Sequence, residues 1–435
     1  MKKMFSFFAA VLVLCTLLSA CSGGGAIPLT GSETAETEAA DITATKETDA
    51  ANKDFPFVPH VTTWDEINAI PVATPEMSVD ELRQICVDYA SLQQNFYWTP
   101  THRLDYICEA AGDADADGKL HIKVGDVYGG LPYGGGGMSL YSAMDYYDEK
   151  TGVFDTSSFT GKNVNTMSNH CSSSIMWGFM RVSTTVNYHG TVTMLPVNGC
   201  IPIGPYTYDQ TLERFDVSPD TFTRAICTQN GEQTMFESYA LLQKADGVVT
   251  YLGEGIGGHT RMILEDATVV RSADGTIDGD QSFVRSVEQY STKTNIEVSG
   301  ATVVQHGEPN KKYTFREMFK SGYVPFTIPE FCGMAKVEKA HAELNVGADA
   351  TIDQLKTAIL TSNYAIAKVY LNVLDENGNV VSSTVRHIAD NPVRTYDLTK
   401  LLSARFLSDV AGKRMQIQAF VGSGELLTAF DGTVS

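Results

Sequence analysis

Basic residues are scarce in this sequence. The 435 residues include 32 Lys and Arg against 52 Asp and Glu, which gives a formal net charge of −20. Nucleic acid and anionic lipid headgroups therefore make poor partners, because both require a positively charged protein surface. The acidity fits solubility or a cationic ligand, and charge alone assigns no function.

Closely spaced pairs of cysteines are also missing. The chain has 8 cysteines, and apart from Cys15 and Cys21 they are Cys86, Cys108, Cys171, Cys200, Cys227 and Cys332, with no CxxC pair and no zinc-like spacing. The sequence predicts no metal site from these cysteines. Six scattered cysteines in so long a chain do not build a disulfide scaffold, although one or two bridges remain possible.

The N-terminal apolar run is too short to cross a bilayer. It extends from Phe5 to Ala20 behind Lys2 and Lys3, whereas a spanning helix needs about 20 residues. The run ends in Leu18-Ser19-Ala20-Cys21, which resembles the lipobox of bacterial lipoproteins. The resemblance implies removal of residues 1–20, lipidation of Cys21, and export to the outer face of the bacterial cell membrane, facing the cell wall or periplasm.

Composition divides the remainder. Residues 21–55 are mostly Gly, Ser, Thr, Ala and Glu and predict a flexible tether, because they hold too little apolar surface to offset the cost of ordering. The chain beyond the tether is longer than one compact core usually holds, so we expect two domains, at 56–334 and 335–435.

Two segments precede the candidate site. Ser78-Val79-Asp80-Glu81 predicts the start of a capped helix. Asp113 to Leu120 copies the first half of an EF-hand loop, but Val124 stands where calcium requires a bidentate Glu, which favours a plain acidic turn.

A glycine-rich segment follows at 125–137 and includes Tyr128, Leu131-Pro132-Tyr133 and four consecutive glycines. No regular helix or strand tolerates this composition. The segment lacks Gly-Lys-Ser/Thr and dinucleotide spacing, so it does not predict a phosphate site or a nucleotide cofactor. We expect no cofactor.

Cys171 is the first candidate for chemistry. Ile175, Phe179 and Val182 share one helical face, which places Cys171 at the start of a helix. The unpaired amides and positive dipole at a helix start favour the thiolate, the nucleophilic form of cysteine. The alternative is a small buried packing residue.

His259 and the strand at 281–290 supply candidate partners. Gly257-Gly258-His259 opens a predicted strand, and imidazole titrates in the range needed to accept a thiol proton. If the two strands are neighbours, Glu288 or Gln289 reaches the far nitrogen of the imidazole. Asn295 and His306 are further alternatives.

These motifs in order resemble the NlpC-type and CHAP-type cysteine peptidases. The matching features are the Gly-Leu-Pro-Tyr-Gly-Gly loop, the Cys-Ser at a helix start, the Gly-Gly-His strand and Val287-Glu288-Gln289-Tyr290, within residues 125–292. The resemblance implies a papain-like α+β domain that cleaves peptidoglycan, with Cys171 as nucleophile, His259 as base and Glu288 as the third residue. It also implies that Tyr128 and Tyr133 line the substrate cleft.

The sequence departs from the family at three places. His170 stands where the family has Asp, Ala245-Asp246 replaces a Gly-Asp turn, and the long separation of Cys171 from His259 leaves room for an insertion near 197–227. The insertion shapes substrate access or is a surface loop.

The C-terminal part alternates polar and apolar residues in short runs, with Asn377-Gly378 and Gly422-Ser423-Gly424 as hairpin signals. These features predict an Ig-like β-sandwich that serves as a spacer or adhesion module.

The sequence thus predicts a surface-anchored thiol hydrolase that acts on peptidoglycan or wall peptide. The alternatives are a catalytically inactive scaffold of the same fold that binds wall peptides or a protein, and an acyltransferase that uses the same cysteine. No feature predicts the oligomeric state.

Overall fold

The computed structural model describes residues 56–106, 120–159, 167–187, 190–209, 222–253, 257–388, 393–403, 406–407 and 410–435. The predicted signal peptide, Cys21, the predicted tether up to residue 55 and residues 113–119 of the calcium-like segment lie outside these ranges. Within them, no helix has the length and apolar character needed to cross a membrane.

The described chain is a mixed helix and sheet protein that divides into two compact units between Val337 and Glu338. The sequence placed this boundary three residues earlier, after residue 334. Each unit has its own sheet, with ten strands in the first and seven in the second.

The first unit contains twelve described strands and seven described α-helices. The strands are β1 (Tyr97–Pro100), β2 (Leu104–Tyr106), β3 (Leu120–Ile122), β4 (Val127–Gly129), β5 (Tyr147–Asp148), β6 (Val153–Phe154), β7 (Ile201–Pro202), β8 (Gly247–Tyr251), β9 (Gly258–Ile263), β10 (Phe283–Val298), β11 (Ala301–Thr314) and β12 (Val324–Thr327). The helices are α1 (Trp64–Ala69), α2 (Val79–Gln94), α3 (Leu140–Ala143), α4 (Cys171–Phe179), α5 (Thr223–Asn230), α6 (Glu232–Tyr239) and α7 (Phe315–Lys320). Short 3-10 helices lie at Met144–Tyr146, Ser157–Phe159, Thr191–Met194, Pro196–Asn198 and Pro329–Cys332.

The ten-stranded sheet has the order β5-β6-β1-β4-β11-β10-β9-β8-β12-β7. Its central strands β11, β10, β9, β8 and β12 pair with one another in antiparallel fashion. Strand β4, on the other edge of β11, is parallel to β11. All five residues of β8 are buried, as expected for a strand with neighbours on both edges and elements packed on both faces.

Helix α2 begins where the sequence predicted. The Ser78 side chain accepts a hydrogen bond from the Glu81 amide and the Glu81 side chain returns to Ser78, which completes the capping box. The face that carries Leu82, Ile85 and Cys86 is buried and packs on α4.

The predicted insertion near 197–227 is described except for residues 210–221. Its strand β7 pairs with β12 and ends the row of the large sheet, and α5 packs on β8. The described ends of this segment, β7 and α5, are therefore built into the sheet and its covering helices, whereas residues 203–209 form no helix or strand and are mostly exposed.

The second unit is mainly β-structure around a separate core. It contains β13 (Ala342–Leu344), β14 (Asp349–Ala350), β15 (Ile359–Leu374), β16 (Val380–His387), β17 (Val393–Asp397), β18 (Arg414–Val421), β19 (Leu426–Val434), helix α8 (Ile352–Lys356) and a 3-10 helix at Leu398–Lys400. The long strand β15 pairs with β13, β16, β17 and β18, so it links all of them.

Both hairpins predicted in this unit are confirmed. The antiparallel pair β15 and β16 turns at Gly378, whose φ is 84°, and the pair β18 and β19 turns at Gly424, whose φ is 95°. Glycine suits these turns because it adopts positive φ without the steric cost of a Cβ atom.

Candidate active site

His259 and Glu288 lie on neighbouring antiparallel strands. The register pairs Met262 of β9 with Val287 of β10, which places Glu288 diagonally across from His259. The His259 Nε2 lies 2.5 Å from the Glu288 Oε2, and the two side chains are 18% and 1% exposed. The contact that the sequence predicted between these residues is therefore present.

Two further groups bind the Glu288 carboxylate. The Arg261 Nε donates to the same Oε2 at 2.6 Å, and the Tyr313 hydroxyl donates to Oε1. Burial alone would raise the pKa of Glu288, but the hydrogen bond from His259 and the Arg261 charge lower it to about 2. Glu288 is therefore ionised at any pH at which the protein would work.

Arg261 is a site residue that the sequence reasoning missed. Its guanidinium carbon lies 3.7 Å from the ring centre of Tyr313 and 4.3 Å from that of Tyr323, so the cation is held between two aromatic rings. The signal was available, because residues two apart on a strand share a face, and Arg261 follows His259 by two.

Cys171 is the first residue of α4, as predicted, and is 1% exposed. Helix α2 packs on α4, and the Gln93 Nε2 on α2 donates to the Ser174 hydroxyl on α4 at 2.5 Å. Helix α4 also packs on β9 and β10, the two strands that carry His259 and Glu288.

His170, one of the departures from the NlpC and CHAP pattern, caps helix α4. Its Nδ1 accepts a hydrogen bond from the Ser173 amide at 3.2 Å and lies 2.8 Å from the Ser172 hydroxyl, which makes His170 the N-cap of α4. Burial lowers the pKa of His170 to about 4, so the ring is neutral and its Nδ1 can accept.

The turn before β8 shows a second substitution. Ala245 has a φ of 63°, in the left-handed region that glycine adopts most easily, and it stands where the family pattern has Gly. The next residue, Asp246, is buried and pairs with Arg83 at 2.8 Å. The turn therefore places a non-glycine residue in the left-handed region, at some cost in backbone strain.

Cys171 and His259 lie on two elements that pack together, α4 and β9. Gly178 of α4 lies against Met262, since a Cβ at Gly178 would be 2.9 Å from the Met262 Cε. Cys171 lies seven positions before Gly178 in the helix and His259 lies three positions before Met262 in the strand, and both spans are about 10 Å.

Alternation along β9 directs His259 and Arg261 to the face opposite Met262, the residue that meets α4. The imidazole therefore does not lie on the sheet face that meets α4. Tyr323 links the two sides: its pKa is raised by burial, then lowered by Arg261 and raised by Glu288 and Cys171, so it lies within electrostatic reach of all three.

The two predicted cleft tyrosines lie in different places. Tyr133 is buried and forms an isolated β-bridge with Asn169, which lies two residues before Cys171. The glycine-rich loop therefore adjoins the start of α4. Tyr128 lies on β4, which β11 and β10 separate from β9, and its ring stacks on Trp98 at 4.9 Å. It lines a cavity of about 670 Å³ with Lys123 and Asn295. The structure does not place Tyr128 beside His259.

The alternative third residues are also placed. Gln289 points away from Glu288 by alternation, and its Nε2 donates to the Leu131 carbonyl at 2.6 Å. Asn295 pairs with Val304, and His306 pairs with Lys293, several residues along β10 and β11 from Glu288. Of the four candidates, Glu288 is the one bound to His259.

The described residues contain no group of three or more His, Cys, Asp or Glu arranged to hold a metal ion. Cys86, Cys200, Cys227 and Cys332 carry free thiols. Comparison of the chain with protein-family models, curated proteins and solved structures finds no match. Any functional conclusion therefore depends on the residues and their geometry.

Proposed function

We propose that this protein is a lipid-anchored thiol hydrolase that cleaves amide bonds in cell-wall peptides. The proposal rests on the hydrogen bond of 2.5 Å between His259 and Glu288, beside a helix that begins at Cys171 and packs on both strands. A histidine oriented by a carboxylate near a cysteine at a helix start is the arrangement that thiol hydrolysis requires.

The proposal includes the finer architecture that the sequence predicts. The first unit would be a papain-like domain of the NlpC or CHAP type, and the second an Ig-like accessory domain. The packing of helix α4 on the antiparallel strands β9 and β10 of the first unit and the β-rich second unit support this assignment. The Cys21 lipid would hold both at the membrane surface, within reach of wall peptide.

In the proposed reaction, Glu288 binds Nε2 of His259, which leaves Nδ1 to accept the Cys171 proton. The thiolate attacks the substrate carbonyl, and the Cys171 amide at the helix start stabilises the oxyanion. The imidazolium then protonates the leaving amine as the C–N bond breaks. Water hydrolyses the thioester, which releases the acid and restores the thiol.

A catalytically inactive scaffold is the second candidate, and one observation favours it. His259 and Glu288 point to the sheet face opposite the one that meets α4, and Glu288 also binds Arg261 and Tyr313. Such a cluster could serve only to stabilise the fold.

Thiol alkylation separates the two candidates. We expect iodoacetamide to label Cys171 of the purified ectodomain at pH 7 at least ten times faster than the exposed Cys332, because a paired thiolate reacts faster than an ordinary thiol. His259→Ala should slow Cys171 labelling at least tenfold, whereas His60→Ala, at an exposed histidine, should leave it unchanged. The measurement is peptide mapping by mass spectrometry over time.

If Cys171 stays unlabelled while Cys332 reacts, the hydrolase proposal is wrong and the scaffold is favoured. Digestion of muropeptides with the wild type, with Cys171→Ala as control, then tests the substrate. Free amine and carboxyl products indicate hydrolysis, and a new amide product indicates acyl transfer.

A further inference from the structure

We propose that Arg261 is a positioning residue of this site. Its guanidinium fixes Glu288 against His259 and offsets part of the carboxylate charge that acts on the imidazole. The inference deepens the proposed function and rests on it, because the position and charge balance of the imidazole matter for catalysis only if His259 is the base.

The first argument is the sharing of one oxygen. The Arg261 Nε and the His259 Nε2 both bind Oε2 of Glu288, at 2.6 and 2.5 Å. The two nitrogens therefore lie within about 5 Å of each other, a range in which like charges oppose ionisation. Arg261 is always protonated, so the charge that it opposes is that of the imidazolium.

The second argument is rigidity. The Arg261 side chain is 11% exposed and lies between the rings of Tyr313 and Tyr323. Tyr313 also donates to the other oxygen of Glu288. A carboxylate bound on both oxygens by groups that are themselves packed has little freedom to rotate away from His259.

The third argument is charge balance. A buried carboxylate alone would strongly favour the imidazolium, which has no lone pair for the thiol proton. The charged and titratable groups around this cluster are Arg261 on β9, Glu288 and Tyr290 on β10, Glu308, Lys311 and Tyr313 on β11, and Tyr323 before β12, while Cys171 on α4 acts electrostatically on Tyr323. Glu308 and Lys311 pair at 3.5 Å and offset each other, which leaves Arg261 to balance Glu288.

The test is the pKa of His259, measured by NMR in the full ectodomain with ¹³C-labelled histidine and assigned with His259→Gln. We expect Arg261→Met to raise this pKa by about one unit or more, because the opposing cation is lost. Arg261→Lys keeps the charge and should stay within about 0.3 units of the wild type. Arg285→Met, on the exposed part of β10, is the matched control and should show no shift.

Arg261→Met leaves Glu288 buried without its cation and can fail to fold. The inference is therefore also tested in the Glu288→Gln background, where the carboxylate charge is gone. Glu288→Gln should lower the pKa of His259, and adding Arg261→Met should raise it again by about one unit. An unchanged or lower pKa on loss of Arg261 in a folded protein overturns the inference. The pKa measurement does not use Cys171 labelling. The inference about Arg261 can therefore fail while the proposed function stands, and the proposed function can fail while the pKa shift is observed.

Discussion

At the residue scale, two side chains depart from the sequence pattern that the chain resembles. His170 caps α4 where the family has Asp, and Ala245 adopts positive φ where the family has Gly. Both positions were visible in the sequence as departures. What the sequence could not supply was the outcome, because a substitution can either abolish a turn or cap or be accommodated with strain.

Ala245→Gly should stabilise the first unit by about 0.5 to 1 kcal/mol. The left-handed conformation costs an L-residue about 1 to 2 kcal/mol, and the greater freedom of glycine in the unfolded chain offsets part of this gain. Urea unfolding of the two proteins measures the difference.

Ala143→Gly provides the opposite control. Ala143 is a buried residue of α3 with ordinary helical backbone angles, so glycine there should cost about 1 kcal/mol. A loss of stability from Ala245→Gly would show that the cost of the strained φ is smaller than the entropy difference.

At the scale of elements, helix α4 depends on an N-cap that titrates. The folded pKa of His170 is about 4, lowered by burial from 6.5. Between these values the unfolded chain binds more protons, so stability falls as the pH decreases from about 6.5 to 4 and is constant above 6.5. Because the residue keeps some exposed surface, we expect a loss of about 2 kcal/mol.

His170→Asn tests this expectation, because Asn is a good N-cap that does not titrate. The wild type should lose about 2 kcal/mol more than His170→Asn between pH 7 and pH 4 in urea unfolding experiments. Equal losses in the two proteins would contradict the assigned role of His170.

The strands show which structural features the local alternation of polar and apolar residues can predict. The alternating runs at His259 and Glu288 predicted two strands, and β9 and β10 are neighbours as required. Alternation could also have identified Arg261. The position of Tyr128 away from His259 depends on the pairing of β4 with β1 and β11, which no local spacing encodes.

At the scale of the whole molecule, the two units have separate sheets and the second has its own core. We expect two thermal transitions in differential scanning calorimetry, and residues 338–435 expressed alone should fold with the transition that belongs to the second unit.

Ile417→Ala should lower the midpoint temperature of one thermal transition only, that of the second unit. Ile417 is fully buried in the core of the second unit, and its truncation should cost about 2 to 4 kcal/mol there. Val249→Ala, at a fully buried position of β8, is the matched change in the first unit. A single transition that shifts with either variant would contradict independent folding of the units.

The sequence by itself determined the class of elements, both hairpins of the second unit, the start of α2, and the helix start at Cys171, because capping, turn and alternation rules act over a few residues. It also placed His259 and Glu288 on two strands. The tertiary structure decided that Glu288 and not Gln289, Asn295 or His306 binds the imidazole, that Arg261 and Tyr313 share the carboxylate, and that Tyr128 lies elsewhere. Those choices depend on register and on strand order, which join residues far apart in the chain and follow from burial of the whole sheet.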